Sequence, residues 1–394
     1  MRKITARRIY PVASEPLENA VLVTDDHGKI LAIEPLEQHD PAGLERYEGV
    51  LVPGFVNTHC HLELSHMKGL VDTGTGLIPF ITDVVTKRNF PAEAIAEAIA
   101  RAEQEMLDGG IVALGDISNT TDTLSVKEQG RMRYHTFVEL FDFLQDTNAE
   151  PTFVKGKAVY DRHQPAAGSA KTYVPHAPYT VSPALFGEIN AANATDSAGT
   201  VSIHNQETPP ENEMFLHGTG AFFEFYRRFG ISLEHFRAIG QPSIHYALRH
   251  LDPARRTLFV HNTLSTPDDI RAAQAWSPHT FWATCPNANL YIENRLPNYR
   301  HFLDTGARVT IGTDSLTSNW QLSILEEMKT IARYQRYVPF GAMLRWATLN
   351  GAEALGFDDT LGSFEVGKTP GVLLLEGLGE NGLPEAGTTV RRLV

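Results

Sequence analysis

Eight short apolar or β-branched runs recur along the middle of the chain, most of them separated by intervals of helical character. The first opens at Val52, and the others cover residues 111–116, 134–140, 172–175, 200–204, 257–261, 280–284 and 308–313. Strands that alternate with helices pair in parallel, because a parallel neighbour needs a crossover long enough to hold a helix. Eight such units predict an α/β protein, a (β/α)8 TIM-type barrel over residues 51–359. An open doubly wound sheet is the competing arrangement, but no glycine-rich dinucleotide fingerprint follows a strand. One interval is plainly helical: residues 92–107 place Ile95, Ile99, Ala102 and Met106 at helical spacing, ahead of Gly109-Gly110.

The two ends of the chain read differently. Residues 4–10, 20–24 and 30–33 are short β-prone pieces, broken by the turn signal Asp25-Asp26-His27-Gly28. Residues 372–377 and 388–393 repeat this character. Neither end has strands enough for a covered sheet, so a small β-sandwich built from both termini, 1–50 plus 360–394, is expected.

Of the 394 residues, 42% are hydrophobic and 21% charged, which suits a globular protein with ample core. A net charge of -13 argues against a nucleic-acid or acidic-membrane partner and leaves a small-molecule substrate. The two cysteines, Cys60 and Cys285, make no disulfide framework. No secretory signal follows Met1-Arg2-Lys3, and no run is long enough to span a bilayer, so a cytoplasmic protein is expected. Homo-oligomerisation is left open, since no interface is legible in sequence.

A barrel places its chemistry at the C-terminal ends of its strands. Those ends read His59-Cys60-His61, Pro175-His176, His204-Asn205-Gln206-Glu207, Val260-His261 and Asp314-Ser315. Alternate residues of a strand share a face, so His59 and His61 project together and Cys60 turns away. His59, His61, His204 and Asp314 form a donor set for one divalent ion, Zn²⁺ most simply, with Fe²⁺ as the alternative. A second ion would call for a bridging carboxylate or a modified lysine; the fourth strand ends at His176, and Lys171 lies back at its start. Glu207 is placed to reach a water on that ion without ligating it, as general base and then acid. His261 is placed to steer the water, and His176 to touch substrate. Asn287 and Asn289 follow the seventh strand and either recognise a ribose or base edge or make a turn. Cys285 is expected to be buried and inert. Residues 208–226 are rich in aromatics and either cap a flat substrate or form a barrel helix with an ordinary core face.

These motifs together resemble the amidohydrolase superfamily, and within it the nucleoside and base deaminases. Pro53-Gly54-Phe55-Val56-Asn57-Thr58-His59-Cys60-His61 resembles the first-strand signature. Pro175-His176-Ala177-Pro178-Tyr179-Thr180 is similar to the fourth-strand motif of the S-adenosylhomocysteine, adenosine and 6-aminodeoxyfutalosine deaminases, and His204 with Glu207 to their fifth-strand pair. Gly312-Thr313-Asp314-Ser315 resembles the eighth-strand ligand motif. The resemblance covers nearly the whole chain. It implies a metal-dependent barrel and hydrolytic deamination of an adenine-type ring, with Glu207, His261 and Asp314 as catalytic residues. Glu63, His176, Asn287 and Ser315 are the expected substrate contacts. Two stretches depart from the pattern: 62–69, where adenosine-type members are more often apolar, and 369–373, where the family commonly has Asp-Ala-Asp. The alternatives are a hydrolase of the same site acting on a cyclic amide, another base (guanine or cytosine) or a ring chloride, and a non-enzymatic member kept as a scaffold.

Overall fold

The computed structural model describes residues 1–194 and 199–394. The chain begins with β1 (Arg2–Thr5), β2 (Arg8–Ile9), β3 (Ala20–Thr24), β4 (Ile30–Pro35), β5 (Glu45–Arg46) and β6 (Val50–Pro53). The single β-prone piece expected over 4–10 is divided between two sheets: β1 pairs with β3 and β5, whereas β2 pairs with β6. Ile4 and Ile9 are both fully buried in one apolar cluster. An odd separation would send them to opposite faces of one strand, so the chain buries both by crossing to the facing sheet. β6 also pairs antiparallel with β15 (Val372–Glu376), which pairs with β16 (Thr389–Arg392). Residues of both terminal sheets, among them Leu22, Leu51, Val372 and Leu374, share that cluster.

The change of sheet falls at Gly54. A Cβ there would lie 2.4 Å from Val112 Cγ1 and 2.5 Å from the Pro370 carbonyl oxygen, so only glycine passes between them. Next comes β7 (Phe55–Cys60), followed along the chain by β8 (Ile111–Ser118), β9 (Arg133–Leu140), β10 (Ala170–Pro175), β11 (Thr200–Asn205), β12 (Arg256–His261), β13 (Thr280–Thr284) and β14 (Val309–Ile311). β7 to β10 form one parallel sheet in chain order, and β11 to β14 a second. Two seams join them. The His204 N–H donates to the His176 carbonyl at 2.9 Å, and the Thr313 and Asp314 N–H groups both reach the His59 carbonyl at 3.0 Å. Helices follow each of these strands, an α/β architecture of the TIM-barrel type. Two occupy the first interval, α1 (Leu77–Lys87) and α2 (Ala92–Asp108), and α2 buries Ile99, Ala102 and Met106 in the main core. Among the described residues no helix is long and apolar enough to cross a membrane.

Candidate active site

Local backbone chemistry aligns the ends of β7 and β14. The Asn57 side chain donates to Thr313 Oγ1 at 2.7 Å and accepts the Thr313 N–H at 3.1 Å. Gly312 lets the two strands come this close, since a Cβ there would lie 2.8 Å from His59 Cβ. Asp314 follows with φ of 56°, and Gln206 (46°) and His261 (70°) also sit in the left-handed region. Such backbone is costly for residues other than glycine, and here it occurs at the strand ends that carry the site.

The side chains of these ends converge. Asp314 Oδ1 lies 3.6 Å from His59 Nε2 and 3.4 Å from His61 Nε2, and His61 Nε2 lies 3.3 Å from His204 Nε2. The other Asp314 oxygen accepts the Ser318 hydroxyl at 2.6 Å, which leaves Oδ1 turned to the imidazoles. His204 donates its Nδ1–H to the His176 carbonyl at 2.8 Å, so its Nε2 presents a lone pair to His61 and the carboxylate. His59 is fully buried and neither ring nitrogen is hydrogen-bonded to protein. Buried lone pairs aimed at one another are costly unless a cation stands between them, so this donor set fits a divalent ion.

Electrostatics agree with that reading. Burial lowers the pKa of His61 to about 3 and of His261 and His176 to about 4, and it takes His204 well below the ordinary imidazole value. The rings are therefore neutral and able to ligate.

Glu207 stands beside this group, its Oε1 3.7 Å from His261 Nε2. Burial, then the charges of Asp314 and Glu211, raise its pKa well above the ordinary value, which suits a carboxyl that gives as well as takes a proton. Glu211 clamps the backbone here, accepting the Gln206 and Glu207 N–H groups at 2.9 Å each. His261 donates its Nδ1–H to Asn289 Oδ1 at 2.8 Å, leaving Nε2 toward Glu207. His176 is fixed in the same tautomer by Thr180 Oγ1 at 2.8 Å, because that hydroxyl donates onward to the Ala177 carbonyl.

A cavity of about 180 Å³ opens onto these groups. Leu77, Phe80 and Val84 of α1, with Phe141, Phe143 and Phe225, make most of its wall apolar. Phe225 is what the aromatic segment contributes; Phe222 and Tyr226 are buried in the core. Two of the expected substrate contacts, His176 and Ser315, line the cavity, and two lie elsewhere. Glu63 lies outside this cavity and holds a loop: its Oε2 accepts the Asn119 and Thr120 N–H groups at 3.1 and 3.0 Å and the Thr120 hydroxyl at 3.0 Å. Asn287 also lies outside this cavity and is held by a neighbouring helix: its backbone N–H is given to Glu327 at 2.8 Å and its Oδ1 accepts from Thr330 Oγ1 at 2.6 Å. Sequence reasoning missed α1, Ser318 and the pair Glu139 and Asn119. Glu139 lies one residue before the end of β9, where the strand-end rule marks it as a candidate.

Comparison with known proteins agrees with this site. The amidohydrolase family matches over residues 50–384, and the chain belongs to it. It is a hydrolase acting on carbon–nitrogen bonds other than peptide bonds. The chain is 27% identical over 327 residues to the adenosine deaminase of Helicobacter pylori (strain ATCC 700392 / 26695), covering 81% of this chain and 77% of that one. It superposes on Helicobacter pylori aminofutalosine deaminase in complex with methylthio-coformycin with a TM-score of 0.79 at 24% identity, over 96% of this chain and 93% of that one. An adenosine deaminase from Xanthomonas campestris with bound zinc gives 0.71 at 23% identity, over 95% and 84%.

Proposed function

We propose that the protein is a metal-dependent hydrolytic deaminase that releases ammonia from an adenine-type ring, with an adenosine derivative such as 6-aminodeoxyfutalosine as substrate. The observation that carries this is the convergence of the buried His59 with His61, His204 and Asp314, the last three lining one cavity with Glu207 and His261. The deaminases to which the chain is similar support it. His59, His61, His204 and Asp314 would hold one divalent ion. Zn²⁺ suits this nitrogen-rich set, the Xanthomonas campestris adenosine deaminase carries bound zinc, and Fe²⁺ is the alternative. When bound, such an ion supplies Lewis acidity that brings the pKa of a water down to about 7.

The chain's own residues hold and move protons. His261 Nε2 and Asp314 orient the attacking water; Glu207 takes its proton and passes it to the ring nitrogen next to the amino-bearing carbon. Water oxygen replaces the amino nitrogen on that carbon, and the nitrogen leaves as ammonia after a second proton transfer through Glu207 or His261. His176 and Ser315 face the substrate. The apolar wall excludes bulk water from a flat ring.

We further read the two parallel sheets as closing into one (β/α)8 barrel, and the terminal sheets, from residues 1–50 and 360–394, as one β-sandwich beside it. Free, buried Cys60 and Cys285 suit a reducing, cytoplasmic setting. Ammonia release from adenosine, S-adenosylhomocysteine, 6-aminodeoxyfutalosine, guanine and cytosine tests the function. Release from an adenine nucleoside is expected, and silence on all five would turn the reading to a cyclic amide or a ring chloride.

A further inference from the structure

Glu139 takes no part in the proton transfers assigned above, yet its carboxyl lies in the cavity wall and is almost wholly buried. One oxygen is accounted for: Oε2 accepts from Asn119 Nδ2 at 3.1 Å. Oε1 is buried with no hydrogen-bond partner and lies 3.6 Å from His204 Nδ1. That nitrogen gives its proton to the His176 carbonyl, so it does not satisfy Oε1. For the same reason the grouping of Glu139, His176 and His204 is not a second ion site, since His204 has no lone pair on that side. Asn119 also donates to the Glu139 carbonyl at 3.2 Å. Its amide nitrogen is thus spent on Glu139, and its carbonyl oxygen is what it offers to a ligand. Asn119 is held in turn by Glu63, which takes its backbone N–H.

The result is a built polar ledge, a carboxyl and the side-chain amide that orients it, in a wall that is otherwise mostly apolar. A buried, unsatisfied acceptor is costly, and the cost is relieved by a ligand that donates to it. A hydroxyl both donates and accepts, so it satisfies the carboxyl in either protonation state, and a neighbouring hydroxyl can use the amide oxygen. We propose that Glu139, oriented by Asn119, binds the sugar hydroxyls of the substrate and is the specificity determinant that selects a ribonucleoside over a free base or a dideoxynucleoside. The inference rests on the deaminase reading for its choice of ligand.

Equilibrium binding of inosine and 2′,3′-dideoxyinosine to the metal-loaded protein, by titration calorimetry, tests it. The wild type should bind inosine about 10- to 100-fold tighter than the dideoxy compound, the usual worth of hydrogen bonds to a charged or buried acceptor. In Glu139→Gln that ratio should fall to within about threefold, at unchanged metal content. Equal affinities in the wild type, failure of both to bind, or an unchanged ratio in the variant overturns the proposal. A residue that only supported His204 would weaken both ligands alike. Should Glu139→Gln fail to fold, the wild-type ratio still decides, and Asn119→Leu should lower it. These outcomes are separate from ammonia release: a protein that discriminates the two ligands but deaminates nothing keeps the ledge and loses the deaminase reading.

Discussion

His204 can ligate through one nitrogen because its other nitrogen is spent on the carbonyl of His176. Similar arithmetic applies to His261 through Asn289 and to His176 through Thr180. Each strand-end histidine was legible in sequence, whereas the partner that sets its tautomer was not, since Asn289 lies 28 residues from His261. Replacing Glu207 by Gln should leave metal content unchanged by elemental analysis and cut kcat by about 10²- to 10⁴-fold. Full turnover in that variant would remove Glu207 from the scheme. His163 offers a prediction away from the site. Burial lowers its pKa from 6.5 to about 4, while its Nε2–H is given to the Thr120 carbonyl at 3.2 Å. Below pH 6.5 the unfolded chain takes up a proton that the folded chain refuses, so this group's contribution is complete above 6.5 and is lost as pH falls toward 4. His163→Gln should therefore lose less of its urea midpoint than the wild type between about pH 7 and about pH 5. Equal losses would show that the ring does not carry this dependence.

At the scale of elements, the strands were readable because a strand's side-chain alternation and a helix's spacing are local patterns. The helix expected at 92–107 occurs as Ala92–Asp108, and the strand expected at 280–284 as Thr280–Thr284. Sheet membership was less readable: nothing local in residues 4–10 or 52–60 says that the chain changes sheets at Ala6-Arg7 or at Gly54. α1 went unnoticed as a cavity wall because its apolar residues look like any core-facing stripe. Phe80→Ala should raise KM about tenfold by removing apolar contact with the substrate, with kcat far less affected, in steady-state kinetics. An unchanged KM would place α1 outside the binding surface. Gly312→Ala should push β14 away from His59, lowering stability by about 1–3 kcal/mol and weakening metal binding at least about tenfold, read by chelator competition.

Across the whole molecule, the proposed ligands come from β7, β11 and the end of β14, which lie in two sheets and more than 250 residues apart at the extremes. An ion shared by them would tie the two sheets together as well as serve the chemistry. Stripping it with a chelator should abolish activity and lower thermal stability, by about 2.7 kcal/mol relative to protein held at 100 times the dissociation constant, and added Zn²⁺ should restore both. A chelated protein that melts with the wild type would mean that the donors hold no ion.

The sequence by itself determined which residues stand at the strand ends, because strand period and strand termination are decided within a few residues of chain. That was enough to mark His59, His61, His204, Glu207, His261 and Asp314. Only the tertiary structure decided where Glu63, Asn287 and Glu139 point. A polar side chain just past a strand end turns toward whichever hydrogen-bonding partner needs it, and those partners come from distant segments: Asn119 and Thr120 for Glu63, Thr330 and Glu327 for Asn287. Glu139 lines the cavity with one oxygen held by Asn119 and the other without a hydrogen-bond partner.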